Sequence, residues 1–378
     1  VRFLSDERET LERLLPGLGR RLAGPELAEL ERPGGPALRA FRQARGAGLL
    51  APALHGGAGA GAADALRCTL AIGAVAPSLA IATTTHHFSV AGLAALARRG
   101  EDFAWLLLDA VVRDRLLLAG AFAGGPGGPG PLTPAMRAER APDGGWLVSG
   151  AKRPCALSRS ADVLVAGVRL VERGREIGSG VALAPSGSEG VSVRPCRNAP
   201  VLTAAEGDEL VLENVRVDDQ LVIGVAPERG AAEEDRPRAF GPLWCALLLS
   251  GAALGVVSGL VERVLTSGRG TARERGELVA DVEAAVRALD RVAGWVDAGA
   301  SGSPTRAAAL MARHTTRAAV RRAAGQAVGL LGGPASLEGG DVGYLARACH
   351  ALAFPPTSRG STAEPLDACL GGAGLAVG

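Results

Sequence analysis

The sequence predicts an α+β protein built as a helical block, a β block and a second helical block. Three observations predict it. Apolar residues recur at i, i+3 and i+4 through residues 1–118. Short, β-branched, alternating runs separated by turn residues fill 134–225. Long helical periodicity then returns over 238–353. The expected boundaries are 1–118, 119–232 and 233–378.

The N-terminal helices are expected at 4–20, 36–48, 62–76, 78–98 and 101–117, the first with Ser5 as N-cap and acids in its opening turn. Leu106, Leu107, Val111, Val112, Leu116 and Leu117 form one apolar helical face. AGGPGGPGPL at 123–132 is a loop by composition. Strands are expected at 146–150, 162–171, 180–185, 190–195 and 208–217, with Asp143-Gly144-Gly145 as a hairpin turn. Together they suggest a small antiparallel barrel or sandwich. The C-terminal helices are expected at 239–266, 272–298, 304–331 and 338–352, where Pro355-Pro356 ends the series.

The chain has 378 residues, 47% of them apolar, with 41 basic and 39 acidic residues. That composition excludes a disordered chain and a strongly basic nucleic-acid binder. Every basic residue but Lys152 is Arg, and Ala and Gly are abundant. This bias reads as coding background, so Arg by itself carries little functional signal. Six Cys are scattered without C-x-x-C or Cys/His metal spacing, so no metal site is expected. The N-terminal stretch has no basic-then-apolar leader, and a cytoplasmic protein with reduced thiols is expected. Residues 241–261 carry no charge and are long enough to cross a bilayer, with Gly251, Gly255 and Gly259 spaced for close helix contact. Soluble-looking flanks and the absence of a second span favour a buried core helix, with no membrane partner.

Chemistry-bearing motifs are sparse. Gly124-Gly125-Pro126-Gly127-Gly128 is either a backbone cradle for phosphate or a structural loop, and it lacks the Lys of a P-loop. His86 and His87 sit in an otherwise apolar helix and point about 100° apart. They read either as one packed and one exposed His, or as an acid/base position. Cys245 reads as an apolar core thiol, or as a nucleophile if a cation lies beside it, and its sequence neighbours offer none. No G-x-S-x-G or H-E-x-x-H is present.

The block order and four local patterns resemble the acyl-CoA dehydrogenase family over nearly the whole chain. The patterns are WLVSGAKRPCALSRSADVLVAGV (146–168), LVLENVRVDDQLVIG (210–224), LLLSGAALGVVSGLVERVL (247–265) and QAVGLLGGPASLEGGDVGYLARAC (326–349). Lys152 matches the family's G-x-K, Gly332 and Gly333 its double Gly, and Arg347 its following Arg. The resemblance implies a helical N-terminal domain, a central β domain and a C-terminal four-helix bundle, assembled as a homodimer or homotetramer. It implies FAD, with contacts from Phe122, Gly124, Gly125, Cys155, Ala156, Ser158, Gly332 and Gly333. It implies an acyl thioester substrate, on CoA or a carrier protein, beside Thr357 and Ser358.

The sequence departs from the family at its functional positions. The T-E-P-x-x-G-S-D stretch is replaced by 123–128, the W-I-[ST] by Pro154-Cys155-Ala156, and the R-x-x-F-G by Gly268-Arg269-Gly270. The catalytic Glu falls on Pro356 in one register and on Cys245 in the other, and Glu364 lies eight residues beyond the first. Ordinary α,β-desaturation needs that carboxylate. Three readings follow: a divergent flavoenzyme using His86, His87 or Cys245 on an acyl thioester or an amine of specialised metabolism, a fold that has lost FAD and catalyses a non-redox step, or a non-catalytic subunit of a hetero-oligomer. Relatives that oxygenate nitrogen or carbon without the Glu favour the first.

Overall fold

The computed structural model describes residues 2–98, 100, 102–122, 134, 136–196, 200–225, 237–332, 340–352 and 359–375. The N-terminal block comprises α1 (Ser5–Leu14), α2 (Leu18–Ala23), α3 (Leu27–Leu30), α4 (Pro36–Gln43), α5 (Ala62–Val75), α6 (Pro77–Ala97) and α7 (Asp102–Arg113). The single helix expected over 4–20 is broken between α1 and α2. Gly17 takes the left-handed conformation (φ 77°) and its N–H is held by the Glu12 carboxylate at 3.1 Å. Ser5 does not cap α1; Leu4 occupies the cap position without a side-chain bond.

The β block contains β1 (Leu118–Ala121), β2 (Met136–Arg140), β3 (Trp146–Cys155), β4 (Val163–Glu172), β5 (Arg175–Pro185), β6 (Val191–Arg194), β7 (Asp208–Val217) and β8 (Val222–Val225). They form one sheet in the order β6-β7-β3-β2-β4-β5-β8, with β1 added on β4. The sheet is mixed: β1 and β2 both run parallel to β4, which corrects the antiparallel expectation. The cause lies at the entry to the sheet. The Leu117 N–H donates to the Asp162 carboxylate (2.7 Å), the Asp162 N–H donates to the Leu117 carbonyl (2.8 Å), and Arg42 pairs with Asp162 at 2.9 Å. These bonds lay the chain leaving α7 beside the start of β4, in the same direction. The expected hairpin at Asp143–Gly145 joins β2 and β3. A side chain at Gly145 (φ 70°) would press to 2.9 Å from the Val217 carbonyl.

The C-terminal block comprises α8 (Pro237–Ser267), α9 (Ala272–Asp297), α10 (Ser303–Leu331), α11 (Asp341–Leu352) and α12 (Arg359–Leu370). The sequence predicts no helix beyond Pro355-Pro356, so α12 is an addition. Thr271 and Glu274 form a reciprocal capping box that starts α9. The glycine series on α8 packs on α5. A Cβ at Gly255 would lie 2.5 Å from the Leu70 carbonyl oxygen and 2.9 Å from the Gly73 Cα. Among the described residues two helices are long and apolar enough to cross a membrane, Pro77–Ala97 and Leu243–Ser267, where the sequence suggests one. The fold buries 72% and 89% of their apolar windows, as for core helices of a folded domain.

One buried polar cluster joins the three blocks. The Glu31 carboxylate accepts from the Ser78 N–H at 3.0 Å, the Ser78 hydroxyl at 2.5 Å and the hydroxyl of Tyr344, the chain's single tyrosine. The Leu202 N–H donates to the Tyr344 oxygen (2.9 Å), and the Thr203 hydroxyl donates to the Glu31 carbonyl (3.0 Å). Burial pushes the Glu31 carboxyl upward, against the donors that hold it down.

Candidate active site

Of the site residues named from sequence, His86, His87, Phe122 and Cys155 lie where α6, the end of β1 and the end of β3 converge. His86 fixes the first two. Its Nε2 lies 2.9 Å from the Ala47 carbonyl, and its Nδ1 accepts from the Leu118 N–H at 3.1 Å. The partners assign the proton to Nε2. Both nitrogens are therefore occupied by backbone, and burial pushes the ring's pKa down to about 4. His86 is a structural pin between α6 and β1, which removes it as an acid/base.

His87 is buried too, at 2% exposure, so the expected pairing of one packed and one exposed histidine does not hold. It packs edge-on to Phe41 (5.7 Å between ring centroids) and against His86 (5.3 Å). Its Nδ1 has no hydrogen-bond partner among the described residues. Burial holds it neutral, with His86 adding to the effect. A buried imidazole nitrogen without a partner is costly in a finished core and marks a position with bonding capacity to spare.

Two turns of local geometry bring the strand ends to α6. Phe88 follows His87 and packs against Phe122, at the end of β1, with ring centroids 5.6 Å apart and the planes tilted by 54°. A Cβ at Gly120 would lie 3.1 Å from Phe88, so the bare glycine lets the aromatic pair sit on the strand. Cys155, at the end of β3, is buried and lies 3.8 Å from the Gly120 carbonyl. Burial pushes that thiol up to about 12, beyond titration near neutrality. Ala156 follows it, half-buried.

The third side of the site is cationic. Lys152 on β3 is half-buried and interacts electrostatically with Cys155 and with Cys245 on α8. Arg313 on α10 is buried at 7% exposure and acts on Cys245 from the bundle side. Cys245 thus has the cations that its sequence neighbours lack. Burial still outweighs them and raises the thiol's pKa, so Cys245 stays protonated and is neither base nor ready nucleophile.

Ser158 is committed elsewhere. Its hydroxyl donates to the Glu206 carbonyl (2.7 Å) and lies 3.3 Å from the Asp208 carboxylate, which corrects its assignment to a flavin. Glu206 in turn accepts from the amides of Arg159 and Ser160. These two acids shape the turn after β3, and the sequence does not reveal them because their partners are 46–50 residues away. Gly332 ends α10 in the left-handed region, beside Arg269, which donates to the Leu331 carbonyl. Gly124, Gly125, Gly333, Thr357 and Ser358 lie outside the described residues. Phe88 and Arg313 are also silent in the sequence: one resembles core, the other one more Arg in an Arg-saturated chain.

The helix–sheet–helix architecture is the one that the acyl-CoA dehydrogenase resemblance implies, and a protonated thiol, Cys245, stands at one of the two positions where that resemblance places a carboxylate. No family model matches the chain. It is 38% identical over 381 residues to isobutylamine N-hydroxylase of Streptomyces viridifaciens, covering 100% of both chains. The chain belongs to the family of that N-hydroxylase. Solved structures share the fold. Dibenzothiophene monooxygenase TdsC from Paenibacillus sp. A11-2 superposes with a TM-score of 0.79 at 16% identity, over 100% of this chain and 99% of TdsC. The same enzyme is known in complex with FMN and indole, at a TM-score of 0.74, 18% identity and 94% coverage of both chains. XiaF from Streptomyces sp., in complex with FADH2 and glycerol, superposes at 0.73 with 18% identity, over 98% of this chain and 94% of XiaF.

Proposed function

We propose that the protein is a flavin-dependent monooxygenase that converts a small primary amine to its hydroxylamine. The full-length identity to isobutylamine N-hydroxylase carries the reading. The site chemistry supports it. Desaturation needs a carboxylate to remove a carbon-bound proton, and Cys245 and Pro356 stand at the two positions where the resemblance places one. Oxygen transfer to an amine nitrogen needs no carbon acid.

The residues fit a flavin. The Phe88–Phe122 pair offers an apolar wall for a flat ring, and Lys152 and Arg313 offer positive charge for a phosphate or an anionic reduced ring. When bound, reduced flavin supplies two electrons to dioxygen. The balance is amine, dioxygen and two-electron-reduced flavin giving hydroxylamine, water and oxidised flavin. The chain's own part is to exclude water with the aromatic wall, to keep the thiols of Cys155 and Cys245 protonated and inert, and to offer His87 as the neutral group that hydrogen-bonds the amine. FAD follows from the family resemblance, whereas solved relatives bind FMN or FADH2, so both flavins belong in the assay.

The test supplies photoreduced FMN or FAD, air and isobutylamine to the purified protein and measures N-isobutylhydroxylamine by mass spectrometry. Hydroxylamine formed faster than in protein-free controls is expected. The reading is overturned if a panel of short primary amines gives none while all the oxygen consumed appears as hydrogen peroxide. A parallel arm with butyryl-CoA and oxidised flavin tests the acyl-thioester substrate that the scaffold implies. Turnover there, without amine oxidation, would replace the N-oxygenase reading.

A further inference from the structure

Away from that site, a cavity of about 210 Å3 opens between α3 and α4, the start of α6 and the connections that precede β7 and β4. Its floor is apolar: Leu30, Ala37, Leu38, Leu79, Ala82 and Ala204. Its rim is cationic, with Arg32, Arg39 and Arg42. Arg42 is already engaged, by the Asp162 carboxylate at 2.9 Å and by the Ser160 carbonyl at 2.7 Å. The one carboxylate in the lining, Glu206, is spent on the amides of Arg159 and Ser160 and on the Ser160 hydroxyl at 2.5 Å. Arg32 and Arg39 are exposed and have no ion-pair partner among the described residues, in contrast to Arg8, Arg13, Arg67 and Arg140, which are matched to acids. Gly35 narrows the cavity wall: a Cβ there would lie 2.5 Å from the Glu29 carbonyl and 2.8 Å from that of Arg32. The result is a small apolar cup under two uncompensated guanidinium groups.

We infer that this cavity binds a small amphipathic monoanion, a carboxylate with a short branched alkyl or aryl tail. The tail fills the apolar floor, which excludes a bare inorganic anion as the preferred ligand. The carboxylate meets the planar donors of Arg32 and Arg39, whose fork geometry matches two oxygens. Residues beside the cavity belong to the three-block cluster: Leu30 and Arg32 flank Glu31, Leu79 follows Ser78, and Ala204 follows Thr203. A ligand here therefore rests against the joint between the blocks, and its binding raises the stability of the whole chain by mass action.

The experiment is calorimetric titration of the full-length protein, with thermal unfolding as a second readout, using benzoate and isovalerate as probes. Both are expected to bind and to raise the unfolding midpoint. Benzamide, which has the same shape without charge, and inorganic phosphate, which has charge without a tail, are expected to bind about tenfold more weakly or worse. The double variant Arg32→Ala/Arg39→Ala is expected to lose benzoate binding by a similar factor. Leu38→Trp, which fills the cup and keeps both arginines, is expected to lose it as well. No binding of either probe to the unaltered protein overturns the inference. So does equal binding of benzamide or phosphate, or benzoate affinity that survives both variants. None of these outcomes depends on amine oxidation.

Discussion

At the scale of single residues, the histidine pair separates into two kinds of group. His86 bonds backbone on both sides, so His86→Ala leaves the Ala47 carbonyl and the Leu118 amide buried without partners. The expected loss is about 2–3 kcal/mol in denaturant unfolding. Its titration gives a second signature. The unfolded ring takes a proton near 6.5, the folded ring only near 4, so between those values protonation favours unfolding. Stability is therefore expected to be flat above pH 7 and to fall as the pH drops from 6.5 toward 4. His86 contributes about 3 kcal/mol of that fall at 1.36 kcal/mol per pKa unit. Urea titrations across that range should show a shallower slope for His86→Gln. His87→Ala, in contrast, removes no protein hydrogen bond at Nδ1. It is expected to cost amine turnover while leaving flavin binding within about threefold. Unchanged hydroxylamine formation would end its assignment. Cys245→Ala should keep turnover within a similar factor, because burial raises the pKa of the thiol it removes and keeps it protonated near neutrality.

At the scale of elements, the contact between α5 and α8 depends on bare backbone. Gly73 and Gly255 face each other so closely that a methyl on Gly255 meets the Leu70 carbonyl at 2.5 Å. Gly255→Ala would gain helix propensity at an open position. Here it is expected to destabilise by about 1–3 kcal/mol, as overpacking does, and a larger side chain by more. Gly276 and Gly294 on α9 face open space where a methyl would stand and serve as controls, at which Ala should be neutral or stabilising. The glycine spacing on α8 is visible in the sequence, but its partner is not. The same pattern serves lipid-embedded and water-soluble helix pairs, and only the burial of α8 inside this fold decides between them.

At the scale of the molecule, Glu31, Ser78, Thr203 and Tyr344 bind the N-terminal block, the β block and the bundle at one buried point. Tyr344→Phe leaves the Leu202 amide without its acceptor and Glu31 Oε2 with only the Ser78 donors, and an expected loss of about 1–2 kcal/mol follows. Glu31→Ala strands more donors and should cost more. The double variant is expected to cost less than the sum of the two, and a double-mutant cycle in urea measures that coupling. Strict additivity would mean that the three blocks are held together elsewhere.

The α–β–α order, the periodicity of nearly every long helix, the hairpin at Asp143–Gly145 and the resemblance to an acyl-CoA dehydrogenase scaffold are all legible in the bare chain. These are local signals, written in spacing and turn chemistry within a few residues. The absence of an acid at Cys245 and Pro356 is equally legible, because a missing residue type needs no coordinates. The parallel entry of β1, the saturation of His86, the open valence of His87, the cations around Cys245 and the occupation of Ser158 by Glu206 emerge only once the chain is folded. Each of these depends on a partner between about 30 and 120 residues away, or on burial that turns a common residue into an uncommon one. Arg313 is the plainest case. In a chain whose basic residues are all Arg but one, its type says nothing, and only its burial beside Cys245 sets it apart.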